Sequence, residues 1–389
     1  MINFTYCVHT KAVFGKGSVE KLGELTKDYK RIMVTYGCGS IKRNGVYDKV
    51  MEQVKDRVIC EFGGIEANPD HDTLMKAALL AREKQPDFLL AVGGGSVVDG
   101  TKYIAAAANW KYTENPYDLF TLWETSHNPA YEPRLFCPLG CVLTLPATGT
   151  EMNGDSVISW RAKHMKYNWS YPPAHPMFCV LDPEFTFSLP RRQIANGLAD
   201  AFVHVMEQYC GHYGMGELQD QQAEAIMRSL VDVAPRALEM EHPDYQARAE
   251  FFWCTTQALN GLIACGVTEC WATHRIGHEI TAFYGLDHAV TLAITMPSLL
   301  RHLKDMRAKK LARLAEKVFG VQNAADMAEE GIRQCERFFH SLGIATTFKE
   351  NGCDDSHFQE IADKFKGRKL GEEKTIGPDE VLAILKDAL

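Results

Sequence analysis

The chain has 389 residues, 46% of them hydrophobic, with 42 Lys+Arg against 50 Asp+Glu and a formal net charge of −8. That length exceeds one ordinary hydrophobic core and points to two domains of a folded globular protein. The charges are interspersed without long single-sign blocks, which argues against nucleic-acid binding and leaves small molecules as the expected partners.

The N-terminal stretch lacks a basic segment followed by a long apolar run, and no uninterrupted apolar stretch of about 18 residues occurs, so neither secretion nor membrane spanning is expected. The 12 cysteines form no CxxC pair and read as reduced thiols of a cytoplasmic protein. Residues 17–29, 45–56 and 70–85 carry apolar residues at helical spacing, and between them 31–37 and 87–95 are short apolar strands ending in glycine. This alternation favours a parallel sheet with covering helices.

From about 109 to 138 the chain is rich in Trp, Tyr, Pro and Asn and reads as a long surface excursion. Residues 140–151 resume with a strand and a Gly/Thr turn, 156–170 form a polar β-like segment, and the apolar run of 177–185 ends at Asp182-Pro183. Beyond Pro190 only helical periods appear, such as 193–210 and 248–265. The expected architecture is therefore an N-terminal α/β dinucleotide-binding domain over 1–188 and an all-helical metal-binding domain over 189–389.

Gly93, Gly94, Gly95 and Ser96 stand between a strand and a helix. Glycines let the backbone approach a phosphate, and the helix start offers free N–H groups and a positive dipole end. The alternative is a tight strand-to-helix turn. The GxGxxG fingerprint is absent, with no acid at the usual distance to hold a ribose hydroxyl. The ribose-reading loop is placed earlier, at Gly37-Cys38-Gly39-Ser40-Ile41-Lys42-Arg43, which contains no carboxylate. Ser40 can hydrogen-bond a 2′-phosphate and Lys42 or Arg43 can neutralise it, which favours NADP(H) over NAD(H); an ordinary solvated helix start is the alternative. Thr144, Thr148 and Thr150 flank Gly149, where their hydroxyls face a cofactor or simply form a local turn.

Asp200 and His204 are spaced i, i+4 on one face of a helix that is apolar on most sides. A buried carboxylate needs a partner, either a cation or a hydrogen-bonded histidine. His274 and His278 repeat that spacing, and His288 follows Gly285 at a turn into the next helix. Glu279 follows the second histidine, so the HExxH arrangement of metalloproteases is missing. Imidazoles with one carboxylate suit Fe(II), Zn(II) or another first-row divalent ion. Spacing alone prefers His274 with His278 as a ligating pair.

With these residues in view, the chain resembles the iron-containing (group III) alcohol dehydrogenases, in particular their NADPH-dependent butanol dehydrogenase and broad aldehyde reductase branch. The resemblance runs from end to end through FGKGS, TYGCGSIK, EFGGIEANP, LLAVGGGSVVDGTK, LTLPATGTE, NGLADAFVHVMEQY and ATHRIGHEITAFYGLDHA. It implies Asp200, His204, His274 and His288 as metal ligands, and His278 as a non-ligand near the nicotinamide and substrate. It also implies Gly94, Gly95 and Ser96 as the diphosphate loop, Asp99 as a coenzyme-side acid, and Thr144 and Thr148 as coenzyme contacts. Asn68 and Lys166 match positions near the adenosine half and the ribose, and Gly37, Gly39 and Ser40 belong to a loop that reads Gly-Gly-Gly-Ser in the family.

The activity so implied is reversible hydride transfer between NADP(H) and an aldehyde or primary alcohol, with Asp200 and His274 holding the metal; His278, or a water it orders, is the candidate proton donor. A homodimer is implied as well, with the segment at 10–18 available as an edge strand. Tyr112, Tyr117, Phe120 and Trp123, with Asn153, Cys265 and Trp271, either line an apolar substrate pocket or serve ordinary packing. A polyol dehydrogenase or a dehydroquinate synthase-like lyase fits the same fold, and a non-catalytic metal or nucleotide sensor is the reading from another class.

Overall fold

A computed structural model of the chain describes residues 1–109, 136–163 and 165–389. The expected aromatic pocket residues Tyr112, Tyr117, Phe120 and Trp123 lie outside the described residues. The chain forms two compact units, one of Cys7–Leu189 and one of Pro190–Leu389 together with Met1–Tyr6.

The first unit is built on a six-stranded sheet of parallel pairs: β1 (Lys11–Phe14), β2 (Ile32–Tyr36), β3 (Val58–Phe62), β4 (Phe88–Gly94), β5 (Leu139–Leu145) and β8 (Phe178–Leu181), in the order β1-β8-β5-β4-β2-β3. The central strands are near-continuous apolar runs because helices cover both faces of a parallel sheet, and Val34, Leu90, Val92, Val142 and Val180 are all buried. β6 (Asp155–Trp160) and β7 (Met165–Ser170) form a separate antiparallel hairpin, which accounts for the polar character of that segment.

The helices of this unit are α1 (Leu22–Leu25), α2 (Ser40–Arg43), α3 (Val46–Val54), α4 (His71–Lys84) and α5 (Gly95–Ala107). The helix expected over 17–29 shrinks to a 3-10 turn and the single turn α1. Gly23 weakens it, and the Thr26 hydroxyl bonds back to the Leu22 carbonyl at 2.7 Å, closing the turn. The edge strand β3 was missed because its residues are all half-buried and carry no apolar alternation.

The second unit holds α6 (Arg191–Tyr209), α7 (Glu217–Ala237), α8 (Tyr245–Ala258), α9 (Ala272–Tyr284), α10 (His288–His302), α11 (Lys304–Lys317), α12 (Met327–Leu342), α13 (Phe358–Asp363) and α14 (Pro378–Asp387). Among the described residues it contains no β-strand. α6 is buried on every side from Leu198 to Tyr209, as a helix at the centre of a helical domain must be. α9 stops at Gly285, whose φ of 70° is left-handed, and the chain turns directly into α10, as the sequence suggested. Ile2 N–H bonds the Gly266 carbonyl at 3.0 Å, which ties the N-terminal segment to this unit. Among the described residues no helix is long and apolar enough to cross a membrane.

Sheet packing leaves no room at Gly140 of β5, where an added Cβ would lie 2.5 Å from the Phe178 ring of β8. Gly140→Ala is expected to destabilise the protein by about 1–3 kcal/mol in urea titration, the usual range for overpacking. Phe178→Leu in the same chain should recover part of that loss; an unchanged midpoint in Gly140→Ala would contradict the packing.

Candidate metal centre and coenzyme loops

Three side chains of α6 point the same way. Asp200, His204 and Glu207 are spaced i, i+4 and i+7, two turns of one face, and all are buried. α9 adds His274 and His278, and α10 begins with His288. The Nε2 atoms of His204, His274 and His288 lie 3.7, 3.8 and 3.8 Å from a single atom, Asp200 Oδ1. These separations are too long for hydrogen bonds. Both Asp200 Oδ1 and His274 Nε2 are buried with no hydrogen-bond partner.

Glu207 explains the orientation of His274. It accepts a short bond from the His274 Nδ1 and a further 2.6 Å bond from the Thr273 N–H. With Nδ1–H committed to Glu207, a neutral His274 presents Nε2 as an acceptor toward Asp200 Oδ1, which is also an acceptor. Converging acceptors are what a cation resolves. Tetrahedral ligands about 2.1 Å from an ion would stand roughly 3.4 Å apart, so the observed spacing fits a divalent ion after slight contraction. Burial pushes the Asp200 carboxyl up, but the surrounding histidines outweigh it and hold it well below the usual carboxylate range. Burial lowers His204 to about 4. It also opposes the charge on His274, yet Glu207 and Asp200 raise that imidazole to about 9.

His278 is buried one turn beyond His274, with its ring centroid 5.2 Å from His288 and 6.3 Å from His274. Of the proposed pocket residues, Trp271 has its ring 5.4 Å from His274, Cys265 bonds the Gly261 carbonyl instead, and Asn153 belongs to the other unit. Glu207 was not anticipated, although its i+7 spacing from Asp200 is visible in the sequence.

In the α/β unit β4 runs straight into α5, so Gly94, Gly95 and Ser96 form the helix start. Gly95 is required there because a Cβ would meet Thr148 Oγ1 at 2.6 Å. Ser96 Oγ accepts the Asn68 N–H at 3.3 Å, and Lys166 Nζ donates to Asn68 Oδ1 at 3.0 Å, joining three expected residues. Thr144 is buried on β5. Asp99 faces inward: its oxygens accept from the Thr150 hydroxyl and from the Val157 N–H, and burial pushes its carboxyl up to about 6 against the pull of the Lys102 ammonium.

Gly37 packs where a Cβ would stand 3.2 Å from the Ile65 carbonyl, Gly39 has a left-handed φ of 91°, and Ser40 opens α2. Lys42 Nζ lies 4.6 and 4.5 Å from the Tyr36 and Tyr47 ring centroids and 3.8 Å from Glu61 Oε2. Glu61 thus brings a carboxylate to this loop from β3, which the loop's own residues did not reveal.

Two family models match the chain, "Iron-containing alcohol dehydrogenase" over residues 9–183 and "Fe-containing alcohol dehydrogenase family, C-terminal" over residues 194–389. NADP-dependent alcohol dehydrogenase 3 of Entamoeba histolytica is 43% identical over 390 residues, covering 100% of this chain and 99% of that protein. NADPH-dependent aldehyde reductase YqhD of Escherichia coli is 43% identical over 384 residues, covering 97% of each chain. The crystal structure of E. coli YqhD matches with a TM-score of 0.94 at 42% identity, covering 100% of this chain and 99% of that one. NADH-dependent butanol dehydrogenase A of Thermotoga maritima matches with a TM-score of 0.91 at 33% identity, covering 100% of this chain and 99% of that one.

Removing the Glu207 charge tests the acceptor geometry directly. In metal-free Glu207→Gln protein the His274 imidazole should titrate about one unit or more below its wild-type value, read by NMR. An unchanged value would show that Glu207 does not set the state of His274.

Proposed function

The chain belongs to the iron-containing alcohol dehydrogenase family, and we propose that it catalyses reversible hydride transfer between NADP(H) and short- to medium-chain aldehydes or primary alcohols. The observation that carries this reading is the convergence of three imidazole nitrogens on the buried Asp200 Oδ1. Asp200, His204, His274 and His288 are the proposed ligands of an Fe(II) or Zn(II) ion, with Glu207 fixing His274. When bound, the ion supplies Lewis acidity toward a carbonyl oxygen, and the nicotinamide supplies the hydride.

The chain's own groups do the rest. Asp200 would hold negative charge against the ion, and with three neutral imidazoles it would supply the donors that keep the ion in place. His278, buried beside His288, is the proposed donor: as imidazolium it gives one ring proton to the product oxygen and is left as the neutral imidazole. Gly94, Gly95 and Ser96 at the start of α5 receive the diphosphate, Asn68 and Lys166 the adenosine-side ribose, and Thr144 and Thr148 the nicotinamide side. Asp99 acts from behind, by holding Thr150. Gly37, Gly39 and Ser40 shape the loop in which Lys42, held between two tyrosine rings, meets a 2′-phosphate. A homodimer is proposed through the outer edge of β1, which has a strand partner only on the β8 side among the described residues.

Three experiments test the reading. Chelation, or His274→Ala, should remove both the bound metal and aldehyde-dependent NADPH oxidation; full turnover by metal-free His274→Ala would defeat the assignment. Because His274 holds a proton below about pH 9, metal uptake must displace it. Zn(II) affinity should therefore rise by up to about tenfold per pH unit between pH 6 and 8, with proton release seen calorimetrically in buffers of different ionisation enthalpy. A pH-independent affinity would count against His274 as a ligand. For the coenzyme, Lys42→Ala should lower kcat/KM with NADPH by about tenfold and leave NADH nearly unchanged, since only the former carries the extra phosphate. Equal losses with both coenzymes would remove Lys42 from that role.

A further inference from the structure

One fully buried charge has no part in the mechanism so far. Lys102 lies on α5, seven residues beyond Gly95, with none of its surface exposed. Its Nζ donates to the Thr150 carbonyl at 2.7 Å, Thr150 Oγ1 at 2.6 Å, the Asn153 carbonyl at 2.9 Å, Asn153 Oδ1 at 3.3 Å and the Asp155 carbonyl at 2.6 Å. These five oxygens come from three residues of one loop, and none is a carboxylate oxygen. An ammonium has only three hydrogens, so they surround it as oxygens surround a free monovalent cation.

The counter-charge stands one layer out. Thr150 Oγ1 accepts from Lys102 and donates to Asp99 Oδ1, while Asp99 Oδ2 accepts the Val157 N–H at 2.9 Å and the Asp99 carbonyl accepts from Ser156 Oγ at 2.9 Å. α5 therefore grips the loop at positions 99 and 102, one turn apart. The loop opens with Thr148, which leaves no space for a side chain at Gly95, and Asn153 Nδ2 closes it by donating to the Gly149 carbonyl at 3.2 Å. An apolar side chain would fill the same volume without desolvating a charge. What only a cation provides here is a fixed shape for carbonyls that point inward.

We propose that Lys102 is a positioning residue for the coenzyme: its ammonium is the built-in cation of a five-oxygen cage that holds the loop from Thr148 to Asp155 against the first turns of α5. The proposal rests on the coenzyme reading given above. The glycine turn at 94–96 and Thr148 then meet the coenzyme in one prearranged geometry, without an ordering cost at binding. A shortened side chain leaves a cage that a free ammonium, methylammonium or potassium ion can enter.

The experiment compares wild type with Lys102→Ala in tetramethylammonium chloride, an ion too bulky for the cage, and follows NADPH binding by its fluorescence. NADPH affinity should fall about tenfold in the variant, with coenzyme KM rising in step and kcat at saturating NADPH staying within about threefold. Ammonium or methylammonium should restore affinity in a saturable manner, whereas further tetramethylammonium should not. Wild-type affinity in a folded Lys102→Ala or Lys102→Met protein overturns the proposal, as does a loss confined to kcat or a rescue that depends only on ionic strength. Should the lysine variants fail to fold, Thr150→Val decides, because it keeps the lysine and removes one cage oxygen with its link to Asp99. Weaker NADPH binding at an unchanged melting temperature supports the cage, and unchanged binding sinks it. A wild-type protein that binds neither NADPH nor NADH overturns the coenzyme reading and this inference together, whereas normal wild-type binding with unaffected variants overturns this inference alone.

Discussion

An ionised carboxylate inside a helix buried on all sides is the constraint on which the helical unit depends. Asp200 cannot leave that position without exposing the apolar surface of α6, and it cannot stay there unpaired. His204 one turn along α6, His274 of α9 and His288 of α10 surround it with imidazoles, and Glu207 adds a second buried carboxylate behind His274. Neutral histidines leave two negative charges in one dry volume. A divalent cation would balance them and also satisfy the lone pairs that face one another across the centre. Without it, a proton on His274 does part of the same work, which is why that imidazole is raised while His204, beside only one of the carboxylates, is lowered.

The α/β unit solves the complementary problem. Its glycine turn offers backbone N–H groups and a helix start, groups that bear no full charge, so on the proposed reading a diphosphate would be met by dipoles. Three charged side chains of this unit hold neighbouring residues in place. Lys102 and Asp99 hold the threonine loop, and Lys166 holds Asn68, which in turn bonds Ser96. A charge used in this way fixes direction, because it imposes a geometry on several carbonyls at once.

How much of this the sequence disclosed follows from the distance over which each feature is encoded. The Asp200/His204 and His274/His278 pairs, the turn at Gly285 and the glycine run after β4 are set within a few residues, and helical period or glycine chemistry makes them legible. The parallel sheet was likewise readable from the unbroken apolar runs of β4, β5 and β8. Glu207 was missed although it shares a helix with Asp200, because its partners lie 66 and 67 residues away. The Lys102 cage spans separations of 48 to 53 residues and leaves no periodic trace. β3 escaped because an edge strand that is half-buried throughout need not alternate. The choice of His288 over His278 beside Asp200 came from resemblance, since local spacing favours the reverse.

Long-range placement also qualifies how a coenzyme phosphate is read. Lys42 is not a free cation waiting at a loop: two tyrosine rings hold its ammonium, and Glu61 stands 3.8 Å away while accepting a 2.7 Å bond from the Tyr47 hydroxyl. On the proposed reading, a 2′-phosphate gains Lys42 and the Ser40 hydroxyl but also meets the field of Glu61, whereas a 2′-hydroxyl can be tolerated or even bonded by that carboxylate. Discrimination is then a difference between two opposed terms, set by one lysine and one glutamate on neighbouring elements. Such a balance is moved by small shifts in either side chain, so one fold can serve either coenzyme without altering the glycine turn or the metal centre.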